Sequence, residues 1–305
     1  MSATRTVVTV GSFDGIHLGH HAVLQEIARR ALASGRTSVL VTFEPHPLEV
    51  INPAAAPPLL TLPDEKRMAL AQMPVDQVAF VPFTSELRSL SPERFVREVL
   101  EARFHLAELV IGHDHGFGQG RSGDVEFLRQ IGREDGFAVD VIAAVLLDGR
   151  PISSTMIRRA VAGGDLETAA RALGRPYSVS GVVERGAGRG RSIGVPTVNL
   201  APPSPRKLLP PDGVYACAVS WRGGVHGAMA NLGSRPTFGE QARALEAHLF
   251  GHEGELYGEH VTVEFVRRLR DVVRFPSVEA LRDQLARDRE AAVAALRMWG
   301  RPVTL

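Results

Sequence analysis

The densest cluster of chemically useful residues is the run GSFDGIHLGH, Gly11–His20. Gly11 and Gly15 allow the backbone to turn tightly and approach a ligand, while Phe13 and Asp14 lie between them. Gly19 keeps side-chain bulk away from a helix N-terminus, whose unpaired N–H groups attract anions. His17 and His20 are three residues apart, so they share one face of a first helical turn. Two imidazoles placed there suit hydrogen bonding to phosphate oxygens. The plainer reading makes His20-His21 a helix cap and His17 a turn residue. A zinc site at His17, His20 and His21 is the weaker alternative, because zinc draws further Cys, His or carboxylate ligands and this spacing matches no common one. The run is neither a Gly-x-Gly-x-x-Gly dinucleotide fingerprint nor a P-loop, which needs Gly-Lys-Ser/Thr.

A second cluster lies in GVVERGAGRGRSIGVPTVNL, Gly181–Leu200, where five glycines alternate with arginines. Such a loop offers many backbone N–H groups to a phosphate. Taken alone it reads better as a solvated linker. Thr197 and Asn199 flank Val198, so on an extended segment they face the same way, and their oxygens are suitable hard ligands for Mg²⁺ and its phosphates. Further on, Glu246 sits beside His248 in a segment otherwise made of Ala and Leu, a place where core packing does not explain a carboxylate. Its plainer role is a rim carboxylate paired with an arginine.

These residues need elements to hold them. In the first 150 residues, short apolar runs at Thr6–Val10, Ser38–Phe43, Gln77–Val81, Leu109–Ile111 and Ala138–Ile142 read as buried strands. Helical spacing runs between them: from about Gly19 to Ser34, with Val23, Leu24, Ile27, Ala31 and Leu32 on one face; from the N-cap Ser91 and Pro92 onward; and after Ser122. Alternating strand and helix implies an α/β, doubly wound parallel sheet, in which ligands bind beyond the carboxyl edge of the strands. Two short helices follow, Ser153–Ala162 and Asp165–Leu173. From Tyr177 the chain has short alternating segments broken by Gly and Pro, which predicts a Greek-key β-barrel. A C-terminal helix from Ser277, with Val278, Leu281, Leu285, Ala292, Val293 and Leu296 facing the core, then caps the barrel. The Ala/Pro stretch at Asn52–Pro58 reads as a loop. The expected domains are 1–175 and 176–305, in keeping with about 150 residues per domain.

Composition narrows the class further. The chain has 305 residues, 35 basic against 34 acidic side chains, and a net charge of +1. Nothing there calls for a polyanion as partner. The lone cysteine, Cys217, cannot form an internal disulfide, and no signal peptide or run of 18 apolar residues occurs, so a cytoplasmic protein without a membrane partner is expected. Only two of the basic residues are lysines, Lys66 and Lys207, which reads as coding bias.

GSFDGIHLGH resembles the adenylylation motif of the nucleotidylyltransferase superfamily, with its His-x-Gly-His core. ISSTMIRRA, Ile152–Ala160, matches the superfamily's Ser-Thr-x-x-Arg signature at Ser154, Thr155 and Arg158. With TFEPHP at Thr42–Pro47 and GHDHGFGQGRSGD at Gly112–Asp124, the first half is similar to the N-terminal module of bacterial bifunctional riboflavin kinase/FMN adenylyltransferases, or FAD synthetases. It departs from them at His115 and Gly116, where an aromatic and a basic residue are frequent. In the second half, PTVN at Pro196–Asn199 resembles the riboflavin-kinase Pro-Thr-x-Asn motif, followed in family order by PDGVYA, NLGSRPTF, LEAHLF and LYGE.

The resemblance implies two ATP sites and two reactions. In adenylyl transfer, His17 and His20 would hold the phosphates and Arg158 would clamp the departing pyrophosphate. Gly11, Phe13, Asp14, Gly15, Gly19, Ser154 and Thr155 would line the nucleotide, and Asp114 would receive a ribose hydroxyl or the adenine amine. Phe43, Pro45, His46 and Pro47 would lie on the flavin side, or simply pack a loop. In the kinase, Gly188, Gly190, Gly194, Pro196, Thr197 and Asn199 would bind ATP, with Thr197 and Asn199 on Mg²⁺. Glu246 would be the general base for the riboflavin 5′-hydroxyl. Riboflavin, FMN, FAD and ATP are the implied small molecules, with no nucleic acid; a monomer or a weak homo-oligomer is compatible with the sequence. Competing readings are a transferase for another phosphorylated acceptor and a flavin-sensing regulator with a decayed kinase half.

Overall fold

The structure, a computed structural model, describes residues 5–113, 124–186, 195–200, 204–234, 243–300 and 302–305. Contacts divide the chain into two compact units, Met1–Ser154 and Thr155–Leu305.

The first unit is built on five parallel strands, β1 (Thr6–Gly11), β2 (Thr37–Glu44), β3 (Gln77–Pro82), β4 (Leu106–Gly112) and β5 (Ala138–Ile142), in the order β3-β2-β1-β4-β5. Alternate residues serve opposite faces, as a sheet covered on both sides requires. Val8, Val10, Val39, Val41, Leu109 and Ile111 enter one core with Phe95, Val99 and Leu128. Val7, Leu40 and Val110 enter the other with Leu24 and Ile27 of α1 (Leu18–Ser34). Leu32, expected on that helix's inner face, is instead 86% exposed, one position past the buried stripe that ends at Ala31.

Several helices lie between the strands. α2 (Pro47–Ile51) and α3 (Pro63–Leu70) fill the connection from β2 to β3, and α4 (Ser85–Ser89) follows β3. The stretch read as a plain loop holds a short 3₁₀ turn, Pro53–Ala55, capped by the Asn52 carboxamide. The helix from Ser91 is capped as expected, Ser91 Oγ accepting from Arg94 N. It runs as α5 (Pro92–Phe95), a π-helical turn Val96–Glu101 and α6 (Ala102–Phe104). α7 (Val125–Asp135) is capped by Asp124. The unit closes with a small hairpin, β6 (Leu146–Leu147) with β7 (Arg150–Pro151).

α8 (Ser154–Gly163) begins at the division between the units, and α9 (Leu166–Leu173) packs on strands of the second. There β8 (Tyr177–Glu184), β9 (Val198–Leu200), β10 (Gly213–Trp221), β11 (Gly224–Ser234), β12 (Arg243–Leu249) and β13 (His260–Arg270) form a closed antiparallel barrel ordered β10-β11-β12-β9-β8-β13. β10, β11 and β12 follow one another and β13 returns beside β10, which is the Greek-key path. α10 (Val278–Trp299) covers Ala216, Ala218, Met229 and Phe250 with Ala292, Ala295 and Leu296. Val278 at its start is 49% exposed, not core-facing, because the helix meets the barrel only further along.

Candidate functional site

The Gly11–His20 run leaves β1 at the carboxyl edge of the sheet and enters α1 through an unusually constrained loop. Phe13 and Ile16 have φ of 50° and 44°, a left-handed conformation that bulky L-residues avoid, and Gly15 has φ of 85°. The loop is held open by neighbours. The Asp14 carboxylate accepts from Leu60 N (3.0 Å), Thr61 N (2.8 Å) and Thr61 Oγ1 (2.9 Å), and Gly15 N donates to Thr61 Oγ1 (3.1 Å). Asp14 is 2% exposed, so its carboxylate faces into the protein and shapes the loop.

His17 is the N-cap of α1 and His20 its third residue, so the cap lies at His17 and not at His20-His21 as the plainer reading had it. His17 Nδ1 accepts from His20 N (3.3 Å) and His20 Nδ1 from His17 N (3.4 Å). That reciprocal arrangement leaves Nε2 as the protonated nitrogen of each ring. The imidazoles stack, centroids 3.7 Å apart, with Phe13 4.5 Å from His20. Burial, then the charges of His17, Lys66 and His21, hold His20 well below the ordinary histidine value. His20 is therefore a neutral hydrogen-bond donor at pH 7. A Cβ on Gly19 would lie 3.1 Å from the His17 ring, so glycine gives that ring its room.

Ser154 Oγ donates to the Asp14 carbonyl (2.9 Å), tying the start of α8 to this loop. Thr155 follows, exposed, and Arg158 lies one helical turn beyond Ser154 on the same helix face. Phe43 packs edge-on against Phe83 (5.3 Å) and beside Phe95 (6.2 Å), largely a packing role. After the cis Glu44–Pro45 bond, Pro45 is exposed. His46 caps α2 by accepting from Leu48 N (3.2 Å), and Pro47 is its first residue. Asp114, Gly188, Gly190 and Gly194 lie outside the described residues.

In the barrel, strand register aligns a polar row. Asn231 of β11 pairs with Glu246 of β12, Glu246 with Asn199 of β9, and Asn199 with Glu184 of β8. Directly paired residues point to the same face, so Glu246 and Asn199 share a face. His248 Nδ1 lies 2.7 Å from the Pro196 carbonyl and holds the segment carrying Thr197 in place. Gly186 presses on the Asn199 carboxamide, where a Cβ would lie 2.1 Å from Nδ2.

Sequence reading missed Lys66, Thr61, Gly186, Asn231 and Glu184. Asn231 and Glu184 become visible only through register. Thr61 and Lys66 are remote in sequence from the loop they hold.

Comparison with known proteins agrees with both halves. Residues 1–156 match the FAD synthetase family and residues 173–296 the riboflavin kinase family. The bifunctional riboflavin kinase/FMN adenylyltransferase of Pseudomonas fluorescens is 39% identical over 289 residues, covering 94% of this chain and 92% of that protein. Proteins of the same description from Escherichia coli K12 and Haemophilus influenzae are 37% and 35% identical, each over 94% of this chain and over 91% and 93% of their own lengths. A crystal structure of a macrolide-efflux protein from Streptococcus pneumoniae superposes with a TM-score of 0.85 at 31% identity, covering 96% of this chain and 95% of that one. Among the described residues no helix is long and apolar enough to cross a membrane. With two family matches in order and relatives aligned along nearly its whole length, the chain belongs to the bifunctional riboflavin kinase/FMN adenylyltransferase family.

Proposed function

We propose that the chain phosphorylates riboflavin to FMN with MgATP in residues 176–305 and adenylylates FMN to FAD in residues 1–175. The functional boundary follows the motifs, since Arg158 ends one set and Tyr177 begins the barrel, whereas packing groups α8 and α9 with the barrel. The observation that carries this reading is the pairing of Glu246 with Asn199 in one unit and the reciprocal His17–His20 cap in the other.

In adenylyl transfer an FMN phosphate oxygen attacks the α-phosphorus of ATP and the bond to pyrophosphate breaks. No protein nucleophile is needed, so positioning and charge stabilisation supply the rate. The Nε2–H groups of His17 and His20 donate to the phosphates as negative charge shifts toward pyrophosphate. Arg158 clamps the leaving group, its planar fork matching two phosphate oxygens. Ser154 and Thr155 lend the hydroxyls and N–H groups at the start of α8. Asp14 acts indirectly, by fixing the loop.

In the kinase, Glu246 takes the proton from the riboflavin 5′-hydroxyl as that oxygen attacks the γ-phosphorus. Asn199 and Thr197 present neutral oxygens beside it. Among the described residues no cluster of three or more His, Cys, Asp or Glu could hold a metal ion by itself. The hydroxyl of Thr197 and the amide oxygen of Asn199 fit Mg²⁺ arriving on ATP phosphates. Bound there, Mg²⁺ would neutralise charge on the transferring phosphoryl group. We further place the protein in the cytoplasm, supported by its free, buried Cys217, acting on small molecules without nucleic acid.

Chromatography of purified protein incubated with MgATP and either riboflavin or FMN tests the reading. Riboflavin passing through FMN to FAD is the expected result. FAD from FMN with no FMN from riboflavin would make the barrel a specificity or sensor domain, and no turnover of either flavin would overturn both assignments.

A further inference from the structure

Of the 35 basic side chains only Lys66 and Lys207 are lysines, and both are buried, 8% and 5% exposed. Coding bias alone does not explain why the two survivors are both enclosed. Lys66 on α3 is placed with particular economy. Its Nζ donates to the Ser12 carbonyl (2.6 Å) and the Phe43 carbonyl (3.3 Å). Those carbonyls lie where β1 gives way to the His17–His20 loop and β2 to the Pro45–Pro47 segment. Thr42 Oγ1 also donates to the Ser12 carbonyl (3.1 Å). Thr61, five residues before Lys66, holds Asp14 in the same loop.

Both hydrogen-bond partners of the ammonium are neutral. Among the described residues Lys66 makes no salt bridge; Asp14 and Glu44 act on it only through space, and Arg67 opposes them. A buried cation without a contacting anion is expensive to keep. It makes sense where an anion arrives, and this edge of the sheet is where the triphosphate and flavin phosphate would meet.

We propose that Lys66 is a positioning residue for adenylyl transfer, holding the ends of β1 and β2 together and carrying a positive charge whose counter-ion is the phosphate of the bound substrates. The inference rests on the adenylyltransferase reading of this site. Burial brings the ammonium down to about 8, so the free protein loses this charge as pH rises through 8. The groups around it are Asp14 in the loop, Glu44 at the end of β2, Arg67 on α3, and His20 with His17 at the start of α1. His20 stays neutral across pH 7 to 9.5, and Lys66 is the group that burial brings to lose its charge within that range.

The test measures kcat/KM for FMN adenylylation from pH 7 to 9.5 in the wild type, Lys66→Met and Lys66→Arg, with riboflavin phosphorylation as the control for an intact protein. A wild type that makes no FAD at any pH would fell the underlying reading rather than the role of Lys66. Given wild-type activity, Lys66→Met should lose at least tenfold at pH 7 and keep riboflavin phosphorylation. Its deficit should close above pH 9 as the wild type loses its own charge. A deficit equal at both ends of the range means packing alone, and no deficit means no role; either overturns the proposal. Should Lys66→Met fail to fold, Lys66→Arg decides: a permanent guanidinium removes the alkaline decline, and a decline unchanged from the wild type overturns the proposal.

Discussion

At the scale of single residues, both candidate sites depend on side chains held by backbone that comes unusually close. Gly186 is the sharpest case, since any Cβ there would occupy the position of the Asn199 carboxamide. Gly186→Ala should therefore turn Asn199 away from the Glu246 face and lower kcat/KM for riboflavin phosphorylation about tenfold or more, equivalent to about 1.4 kcal/mol. FMN adenylylation should be unchanged, and steady-state kinetics of the two half-reactions separates the outcomes. His20 carries a pH signature of its own. Its native pKa lies well below the ordinary value, whereas the unfolded chain protonates it near 6.5. Below that pH the unfolded state binds more protons, so stability falls as pH falls. His20→Asn should flatten this acid loss, read from urea midpoints between pH 7 and 5.

Elements were legible where local pattern and final burial agree. The strands of the parallel sheet and β8, β10, β11, β12 and β13 announce themselves through Val-rich or alternating runs, and Ser91, Asp165 and Ser277 cap the helices their positions suggest. Short helices α2, α3 and α4 escaped notice because five to eight residues carry little periodicity. β9 has three residues and follows Pro196; it is a strand only because β12 and β8 pair with it. That Asn199 aligns with Glu246 was therefore hidden until register was known. The C-terminal tail was equally silent: Gly227 N donates to the Thr304 carbonyl (2.7 Å) and Thr304 N to the Val225 carbonyl (3.0 Å), adding the tail to β11. An ion pair of Asp288 with Arg270, at 2.7 Å and 2.9 Å, joins α10 to β13, and Gln284 also donates to Asp288. Asp288 is 3% exposed. Asp288→Ala leaves the half-buried guanidinium without its carboxylate and should destabilise the barrel unit by about 3 kcal/mol. Thermal unfolding checks this, with Ser277→Ala, a cap lost at about 1 kcal/mol, as the milder comparison.

For the molecule as a whole, the decisive feature is that each unit has a core of its own, although Thr155 and Arg158 of the first motif set fall in the second unit. One core lies on the faces of a parallel sheet and another between a closed barrel and α10, so Glu246 and the His17–His20 pair stand on elements with different cores. Glu246→Gln should abolish FMN formation yet make FAD from supplied FMN at the wild-type rate. Arg158→Ala should phosphorylate riboflavin and stall at FMN. The two variants mixed in one vessel should then recover FAD formation from riboflavin, because FMN released by one protein is a substrate for the other. Recovery should rise with total protein concentration, following the build-up of free FMN. Each half-reaction intact but no recovery in the mixture would mean that FMN reaches the adenylylation site only within the molecule that made it. Loss of both half-reactions in a folded Glu246→Gln protein would instead refute the assignment of two separate sites.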